Sequence, residues 1–370
     1  MQRMSPGNCR SSRFSLKAIM LLSIAALVLA GCGTSYWTNI TEKGLAPSVV
    51  SSISSVVTDP AHDIIYTTTS GQGVWRCTNP GTNPNWTHML GGAKLDFVSC
   101  VLYEPTHNVL YAAANSGVYR WANPASSASW NSANGVGGNS SLAYDPARDM
   151  LYAETMAGVY GCTNPASSPV WADTGGGVEG SSIYSLVCDP AHNVLYAGTD
   201  TQGLGIWKYQ GGVWTNLDKN FSASKSIGSA WSLAYDSARD VLYAVTDKGI
   251  LRCAKPGTTP SWASISEGMS SYTFGSLAYD PGHNMLYAGA VVPGPPPTPI
   301  GTKVPTPKVN TKSHGVWACA NPNTNSSWTD TGGALISQDI EDVCFDATQR
   351  VLYAVAVQKA VWRYKPPANH

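Results

Sequence analysis

The sequence has few charged residues, since Asp, Glu, Lys and Arg make up 12% of its 370 residues. The basic residues are scattered and form no patch or run, which argues against nucleic acid as a partner. No apolar run after residue 31 is long enough to cross a membrane as a helix. These absences leave an exported, turn-rich protein as the favoured class, because Gly, Ser, Thr, Asn and Trp are abundant.

Motifs of catalysis are also scarce. The chain has no Cys-x-x-Cys pair with zinc-site spacing, no Gly-x-Ser-x-Gly elbow and no P-loop. Gly175, Gly177 and Gly180 match a dinucleotide fingerprint by letter, but no helical pattern follows them to bind a phosphate. We therefore expect no catalytic residue, no metal and no cofactor.

The first 31 residues have the pattern of an export signal. A basic segment precedes a 13-residue apolar run, Ala18–Ala30, which is too short to span a bilayer. The following "LAGC", Leu29–Cys32, resembles a bacterial lipobox, which implies that Cys32 carries a lipid and that residues 32–35 link it to the fold. An ordinary cleaved signal with an incidental cysteine is the alternative. We expect a bacterial envelope protein, extracytoplasmic and held to the membrane by this lipid alone.

One phrase recurs along the chain, as in "SLAYDPARDMLYAET", Ser141–Thr155. It joins an acidic anchor residue to Leu-Tyr-Ala six to eight positions later. The anchor residues are Asp59, Glu104, Asp145, Asp189, Asp236, Asp280 and Asp346. Their spacings are 45, 41, 44, 47, 44 and 66, and a proline-rich insertion at 291–314 accounts for the last. The chain therefore contains seven repeats.

Each repeat predicts four short strands. The first ends at the anchor, the second is the Leu-Tyr-Ala segment, the third follows a glycine turn, and the fourth begins near a tryptophan such as Trp171. The seventh repeat stops after its third strand, whereas Tyr36–Ile40 at the other end matches the fourth strand Val213–Leu217. We predict an all-β, seven-bladed β-propeller over residues 36–366, followed by a tail at 367–370 and closed by the N-terminal strand.

The repeats resemble the WD-repeat, YVTN and BNR-like (Asp-box) group, which includes sortilin-type and photosystem II assembly-factor-like propellers. The second and third strands carry this resemblance, as in "NVLYAGTDTQGLGIWK", Asn193–Lys208. The Asp-box is absent, because "CTNPASSPVW", Cys162–Trp171, has Asn in place of Asp and lacks the glycine. The resemblance thus implies a propeller without implying a sialidase-like activity.

Acidic and histidine side chains recur at the predicted turns. We interpret them as structural residues of the turns rather than as metal ligands or catalytic groups. Equivalent residues of different blades lie too far apart to share an ion, whereas Asp before a turn can accept backbone N–H groups. Arg148 and Gln349 replace the histidines that stand three residues after other anchors. We also predict that the cysteines after residue 32 are mostly free and buried, and that the recurrent tryptophans pack between blades.

A propeller has two faces, and the repeats treat them differently. The turn face carries the first-to-second turns and third-to-fourth loops, which repeat almost unchanged. The variable face carries the second-to-third turns, the blade connections and the insertion, which differ in length and content. Because binding residues tend to lie on loops of a rigid scaffold, we predict binding at the variable face. The candidates are Phe97, Glu179, Tyr184, Phe221, Trp231, Tyr272, Phe274 and Asp339.

Two functions stay open at this point. The first is a non-enzymatic, monomeric propeller that binds an envelope protein or a glycan. The second is an extracytoplasmic glycoside hydrolase or lyase with acids in the central cleft. A glycosidase usually needs two carboxylates at a defined separation, and no motif supplies such a pair, so binding is favoured.

Overall fold

The structure is a computed structural model. It describes residues 37–42, 44–50, 53–91, 95, 97–126, 129–133, 137, 141–155, 157–176, 178, 182–200, 205–218, 227–269, 272–291, 315–324, 327–335, 338–356 and 360–367. The export segment, Cys32 with its linker, and the insertion beyond Val291 lie outside the described residues, as do Glu179 and Phe221. The chain divides after Ser35, and all described residues belong to the second unit.

Seven four-stranded antiparallel sheets form the blades. Blade 1 contains β2 (Ile53–Asp59), β3 (Ile64–Thr69), β4 (Gly73–Thr78) and β5 (Asn85–His88). Blade 2 contains β6 (Val98–Glu104), β7 (Val109–Ala114), β8 (Gly117–Ala122) and β9 (Asn131–Ser132). Blade 3 contains β10 (Leu142–Asp145), β11 (Met150–Thr155), β12 (Gly158–Thr163) and β13 (Val170–Asp173). Every first strand of these blades ends at its anchor residue, as predicted.

The remaining blades repeat this order. Blade 4 contains β14 (Ile183–Asp189), β15 (Val194–Thr199), β16 (Ile206–Gln210) and β17 (Val213–Asn216). Blade 5 contains β18 (Ala230–Asp236), β19 (Val241–Thr246), β20 (Gly249–Ala254) and β21 (Ser261–Ser264). Blade 6 contains β22 (Thr273–Asp280), β23 (Met285–Val291), β24 (Gly315–Ala320) and β25 (Trp328–Asp330). Blade 7 contains β26 (Ile340–Asp346), β27 (Val351–Ala356), β28 (Ala360–Tyr364) and β1 (Trp37–Asn39).

The ring closes through the N-terminal strand, which confirms the prediction. β1 pairs antiparallel with β28, with Trp37 opposite Tyr364 and Asn39 opposite Trp362. The amide of Ile40 continues the ladder by donating to the carbonyl oxygen of Val361 at 3.1 Å. This pairing covers the edge of β28, which would otherwise be open to another chain.

Helical structure is limited to short blade connections. The α-helix α1 (Pro47–Val50) precedes blade 1, and one 3-10 turn (Gly333–Leu335) precedes blade 7. In the part of the chain that the structure describes, neither segment nor any other helix has the length and apolar character needed to cross a membrane.

Burial within each blade explains its sequence. The second strands are buried along their whole length, because neighbouring blades pack on both faces, and this favours the apolar Leu-Tyr-Ala run. The tyrosines of these strands are among the largest fully buried side chains. They include Tyr66, Tyr111, Tyr196, Tyr243 and Tyr353. The core is therefore a ring of apolar layers between blades.

The fourth-strand tryptophans link consecutive blades. Each indole N–H donates to an oxygen at the end of the preceding blade's fourth strand, over 2.6 to 3.2 Å. The donors are Trp86, Trp130, Trp171, Trp214, Trp262, Trp328 and Trp37. The predicted packing role is confirmed, and hydrogen bonding adds to it. Trp37 completes this circle from the first strand of the chain.

The described cysteines are free, as predicted. Cys77, Cys162, Cys253 and Cys319 are buried at one repeat position, and the other three are half-buried. Burial raises the pKa of the Cys77 and Cys253 thiols to about 12, so both stay protonated at neutral pH. These thiols act as small apolar side chains rather than as nucleophiles.

Candidate functional site

The anchor carboxylates on the turn face hold the first-to-second turns. All seven are at most 3% exposed. Asp236 is representative: its Oδ1 accepts the backbone N–H groups of Ala238 at 3.1 Å and of Arg239 at 3.3 Å. Backbone N–H groups of the turn donate to the anchor carboxylate in six blades, whereas in blade 1 the Oδ1 of Asp59 is buried without a hydrogen-bond partner. The predicted turn role is confirmed.

In blades 1 to 6, the residue three positions after the anchor caps the second carboxylate oxygen, whereas Gln349 of blade 7 donates to Asp63. Nδ1 of His62 shares a hydrogen bond with Oδ2 of Asp59 at 2.7 Å, and Nη1 of Arg239 donates to Oδ2 of Asp236 at 3.1 Å. Imidazole and guanidinium are thus interchangeable, as the sequence indicated. The hydrogen bond to Asp189, followed by its charge, raises the pKa of His192. Sequence reasoning missed these pairs, although the fixed spacing of three carries the signal.

A tyrosine hydroxyl joins neighbouring blades on the same face. The hydroxyl of Tyr235 donates to Asp189 of the preceding blade at 2.8 Å and contacts Asp240 of its own turn at 2.9 Å. Tyr279 bridges Asp236 and Asn284 in the same way, at 2.6 and 2.8 Å. The turn face is therefore a hydrogen-bonded belt that stiffens the ring.

One group on this belt has the composition of a metal site. Among the described residues, only Asp189, His192 and Asp240 form a group of three or more His, Cys or carboxylate side chains whose ligand atoms all lie within 4.8 Å of one another. The contacts of His192 and of Tyr235 already occupy Oδ2 of Asp189. The same Asp-x-x-His pairing recurs in other blades. This geometry fits a structural joint, so we assign no metal to it.

The inner strands form a second circle around the central axis. In five blades, the short polar side chain four residues before the anchor accepts the backbone N–H of the next blade's inner strand. Serines do this in four clefts, for example Ser185 to Leu233 at 3.1 Å and Ser232 to Leu277 at 3.0 Å. In blade 7 the position is Asp342, whose Oδ2 accepts the N–H of Val56 at 3.0 Å.

Asp342 is the one acid of this circle. Its Oδ1 accepts the Ser276 hydroxyl at 3.1 Å, so Asp342 ties blades 6, 7 and 1 together. Burial raises its pKa from 3.8 to about 6, against the opposing effect of its hydrogen bonds. Its neighbour Glu341 is exposed and lies in a β-bulge between Ile340 and Asp342, and burial, then the charge of Asp342, raises the pKa of Glu341. Both carboxylate oxygens of Asp342 accept hydrogen bonds from neighbouring blades, which favours a structural role over the glycosidase alternative.

We expect Asp342→Ser to stabilise the protein near pH 7.5 by about 2 kcal/mol. Between pH 3.8 and about 6 the folded chain retains a proton that the unfolded chain has lost. Stability therefore falls as pH rises through this window, and the loss is complete above it. Serine, which other blades use here, should remove that slope in urea unfolding from pH 3.5 to 8. Exposed Glu267→Gln is the control, and an unchanged slope in Asp342→Ser would contradict the assignment.

The variable face contains the predicted binding residues, but not all of them are accessible. Phe97 is 57% exposed and Tyr184 is 46% exposed. Trp231, Tyr272 and Asp339 are half-buried. These five side chains are accessible enough to contact a ligand, and their binding role stays a prediction.

Phe274 requires a correction. It is only 3% exposed, and its ring stacks on Trp328 at a centroid distance of 6.2 Å. Because strand side chains alternate, Phe274 points into the interface between blades 5 and 6 rather than outward. It supports the half-buried Tyr272, whose ring lies 6.4 Å away, and cannot itself contact a ligand on the surface.

Two cavities on the ring can be compared with the candidate residues. One, of about 420 Å³, lies between blades 6 and 7 and opens toward the turn face. The other, of about 360 Å³, follows the inner strands of blades 5 to 7 near Asp236 and Tyr279. Neither of these two cavities is lined by a candidate residue of the variable face.

Comparison with known proteins identifies the fold alone. No protein-family model matches the chain, and no curated protein does. Among solved structures, the chain resembles the extracellular domain of BT4673 from B. thetaiotaomicron, described as a one-component or hybrid two-component system, with 16% identity and a TM-score of 0.62. That match covers 89% of this chain but only 39% of the BT4673 chain, so this protein spans less than half of that length.

Two further structures match over almost their whole length. U3-55K shares 10% identity at a TM-score of 0.65, and the RRP9 WD40 repeats share 10% at 0.64. Each match covers 98% of the other chain and 89% or 90% of this one. With seven four-stranded sheets in a closed ring, the chain is a seven-bladed β-propeller of WD40-like architecture.

Proposed function

We propose that this propeller is a membrane-anchored, extracytoplasmic binding module and that its variable face takes an envelope protein or a glycan. The lipobox-like segment ending at Cys32 supports the anchor. The extracellular location of the BT4673 domain supports the compartment by analogy of fold alone. The belt of turn-face hydrogen bonds supports a rigid scaffold that presents loops.

Phe97 is the observation that carries the proposal. It combines 57% exposure with a φ of 55°, a left-handed conformation that bulky residues rarely adopt. Such a conformation costs on the order of 1 kcal/mol. Neither burial nor backbone geometry explains a phenylalanine there, whereas a contact with a partner does. Leu90, which is 79% exposed, precedes it in the same blade connection.

We expect Phe97→Asn to weaken binding while slightly stabilising the fold. Asparagine tolerates the left-handed conformation and exposes no ring, so the free energy of unfolding should rise by about 1 kcal/mol. Together with Tyr184→Ser, it should reduce retention of the partner or glycan by at least about tenfold. A glycan array and crosslinking to intact envelopes would provide the measurement.

The matched control removes apolar side chains that lie away from the variable face. Val170 and Val213 are 61% and 62% exposed at the starts of outer strands. Val170→Ser with Val213→Ser should leave retention unchanged. Equal losses in both double variants, or none in either, would refute a binding role for the variable face. Cys32→Ser should separately release the chain from membranes, and membrane retention of that variant would refute the lipid anchor.

A further inference from the structure

The clefts between blades on the turn face are closed by a repeated contact. A basic residue of one third strand donates to a backbone oxygen in the third-to-fourth loop of the next blade. Arg76 reaches the carbonyl oxygens of Pro124 and Ala125, both at 2.9 Å, and Lys208 reaches Gly257 at 2.8 Å. Arg120 and Arg252 make the equivalent contact. In these four clefts the loop fills the space between blades.

The blade 6–7 cleft lacks both partners of this contact. Ala318, opposite Tyr287, stands where five other third strands place Arg or Lys, and blade 3 has Gly161 there but retains a loop in the next blade. Blade 7 has no third-to-fourth loop, because its fourth strand is β1 from the other end of the sequence. The result is the cavity of about 420 Å³, which is in the size range of small-molecule sites.

The walls of this cavity are mainly apolar. Met285, Tyr287, Ala318 and Tyr364 contribute to them, together with prolines of the segment after β28. Tyr364 in turn stacks on Trp37 at 4.9 Å, which places the cavity against the closing strand. An occupant would thus contact both blade 6 and the closure of the ring.

Arg350 supplies an unpaired cation to the cavity. Its Nε is buried without a hydrogen-bond partner, and no carboxylate of the described residues lies within ion-pair distance of it. Blade 6 has Asn284 at this position, held by Tyr279. In blade 7 the tyrosine is replaced by Phe345, which has no hydroxyl, so Arg350 lacks this restraint. Its φ is 54°, which asparagine would adopt more readily.

Asp330 supplies an opposite charge from the blade 6 wall. One of its oxygens, Oδ1, accepts the N–H of Gly332 at 2.8 Å, while Oδ2 makes no hydrogen bond to the described residues. Asp280 and His283 also line the cavity, but they pair with each other through a hydrogen bond of 2.9 Å. The cavity therefore offers the Arg350 guanidinium to an anion and the Asp330 carboxylate to a cation.

We propose that the blade 6–7 cavity binds a small zwitterion with an apolar body, an apolar α-amino acid or a dipeptide. The ligand carboxylate pairs with the Arg350 guanidinium, which suits bidentate recognition. The ligand ammonium pairs with Asp330, and its apolar side chain lies among Met285, Tyr287 and Tyr364. A simple anion would meet the Asp330 carboxylate, and a simple cation would meet Arg350. Both are therefore weaker ligands.

Three probes of similar shape separate these cases. L-phenylalanine carries both charges, 3-phenylpropionate only the carboxylate, and 2-phenylethylamine only the ammonium. Titration calorimetry with the purified propeller should give phenylalanine at least about tenfold higher affinity than either other probe. Equal affinity for one of the singly charged probes, or no binding of phenylalanine, would overturn the proposal.

Two variants assign the binding to this cavity. Arg350→Asn places a residue used in other blades at the left-handed position, so the fold should be retained while phenylalanine affinity falls at least about tenfold. Affinity for 2-phenylethylamine should not fall. Ala318→Arg should abolish binding of all three probes by filling the cavity as in other blades. Lys208→Gln removes a cation from a loop-filled cleft and should change nothing. Unchanged phenylalanine binding in Arg350→Asn would refute the site.

Discussion

Replacing Trp37 with alanine should lower the free energy of unfolding by about 3 to 5 kcal/mol. Trp37 is 3% exposed, stacks on Tyr364 and donates its indole N–H to Thr331 of blade 6 at 3.0 Å. The carbonyl oxygen of Ile40, at the other end of the closing strand, accepts the indole of Trp86 in blade 1 at 2.8 Å. Loss of Trp37 thus weakens the one strand that joins both ends of the ring.

The control is Trp214→Ala in blade 4. Trp214 is 7% exposed and makes the same kind of inter-blade hydrogen bond, to Thr174 at 3.1 Å, but its strand is joined by a short turn to the preceding one. Both variants lose similar burial, yet only Trp37→Ala should release a strand and open the edge of β28. Size-exclusion chromatography should therefore detect oligomers for Trp37→Ala alone. Monomers in both variants would refute the role of Trp37 in closure.

Much of the fold could be predicted because the repeated residues each meet a requirement of the backbone. Asp63 and Asn79 both have φ near 50°, and the N–H of Asn79 donates to the carbonyl oxygen of Asp63 at 3.0 Å. Asn and Asp tolerate this conformation better than other non-glycine residues. The recurrence of Asn and Asp in the turns and loops therefore follows from paired left-handed positions in the blades. Because this pattern recurs from blade to blade, the number of blades can be counted from the sequence.

Contacts between blades could not be predicted from the same pattern. Tyr235 and Asp189 are 46 residues apart, and their hydrogen bond depends on the angle between two blades. The accessibility of an aromatic side chain also depends on that packing: Tyr272 and Phe274 are two residues apart, yet only Phe274 is fully buried. The variable face could thus be located from the sequence, whereas its accessible residues required the structure.

The blade 6–7 cavity could be predicted from the sequence only in part. Ala318 departs from Arg or Lys at an equivalent position, and this departure is visible in the repeats. Its meaning depends on knowing that the third-strand side chain reaches a loop of the next blade and that blade 7 has no such loop. A deviation from a repeat gains a physical interpretation only when the contact made by the other copies is known.

Replacing the anchor Asp236 with alanine should lower the free energy of unfolding by about 3 to 5 kcal/mol. The carboxylate is 1% exposed and accepts two backbone N–H groups, Nη1 of Arg239 and the hydroxyl of Tyr279. Alanine would leave the two backbone N–H groups of the turn without this acceptor, and it would remove one of the two partners of Arg239 and of Tyr279 at the blade 5–6 junction. Burial, and then the hydrogen bond to Asp236, raises the pKa of Tyr279, so its hydroxyl stays a donor at neutral pH.

Two milder variants separate the contributions. Tyr279→Phe removes only the inter-blade donor and should cost about 1 kcal/mol in urea unfolding. Arg239→Ala removes a side chain that is 35% exposed, and it should cost less than Tyr279→Phe because solvent screens the ion pair. If the anchor acts as a buried acceptor that joins turn and blade, Asp236→Ala must exceed the sum of these losses. A loss no larger than that of Arg239→Ala would show instead that the anchor serves only a surface ion pair.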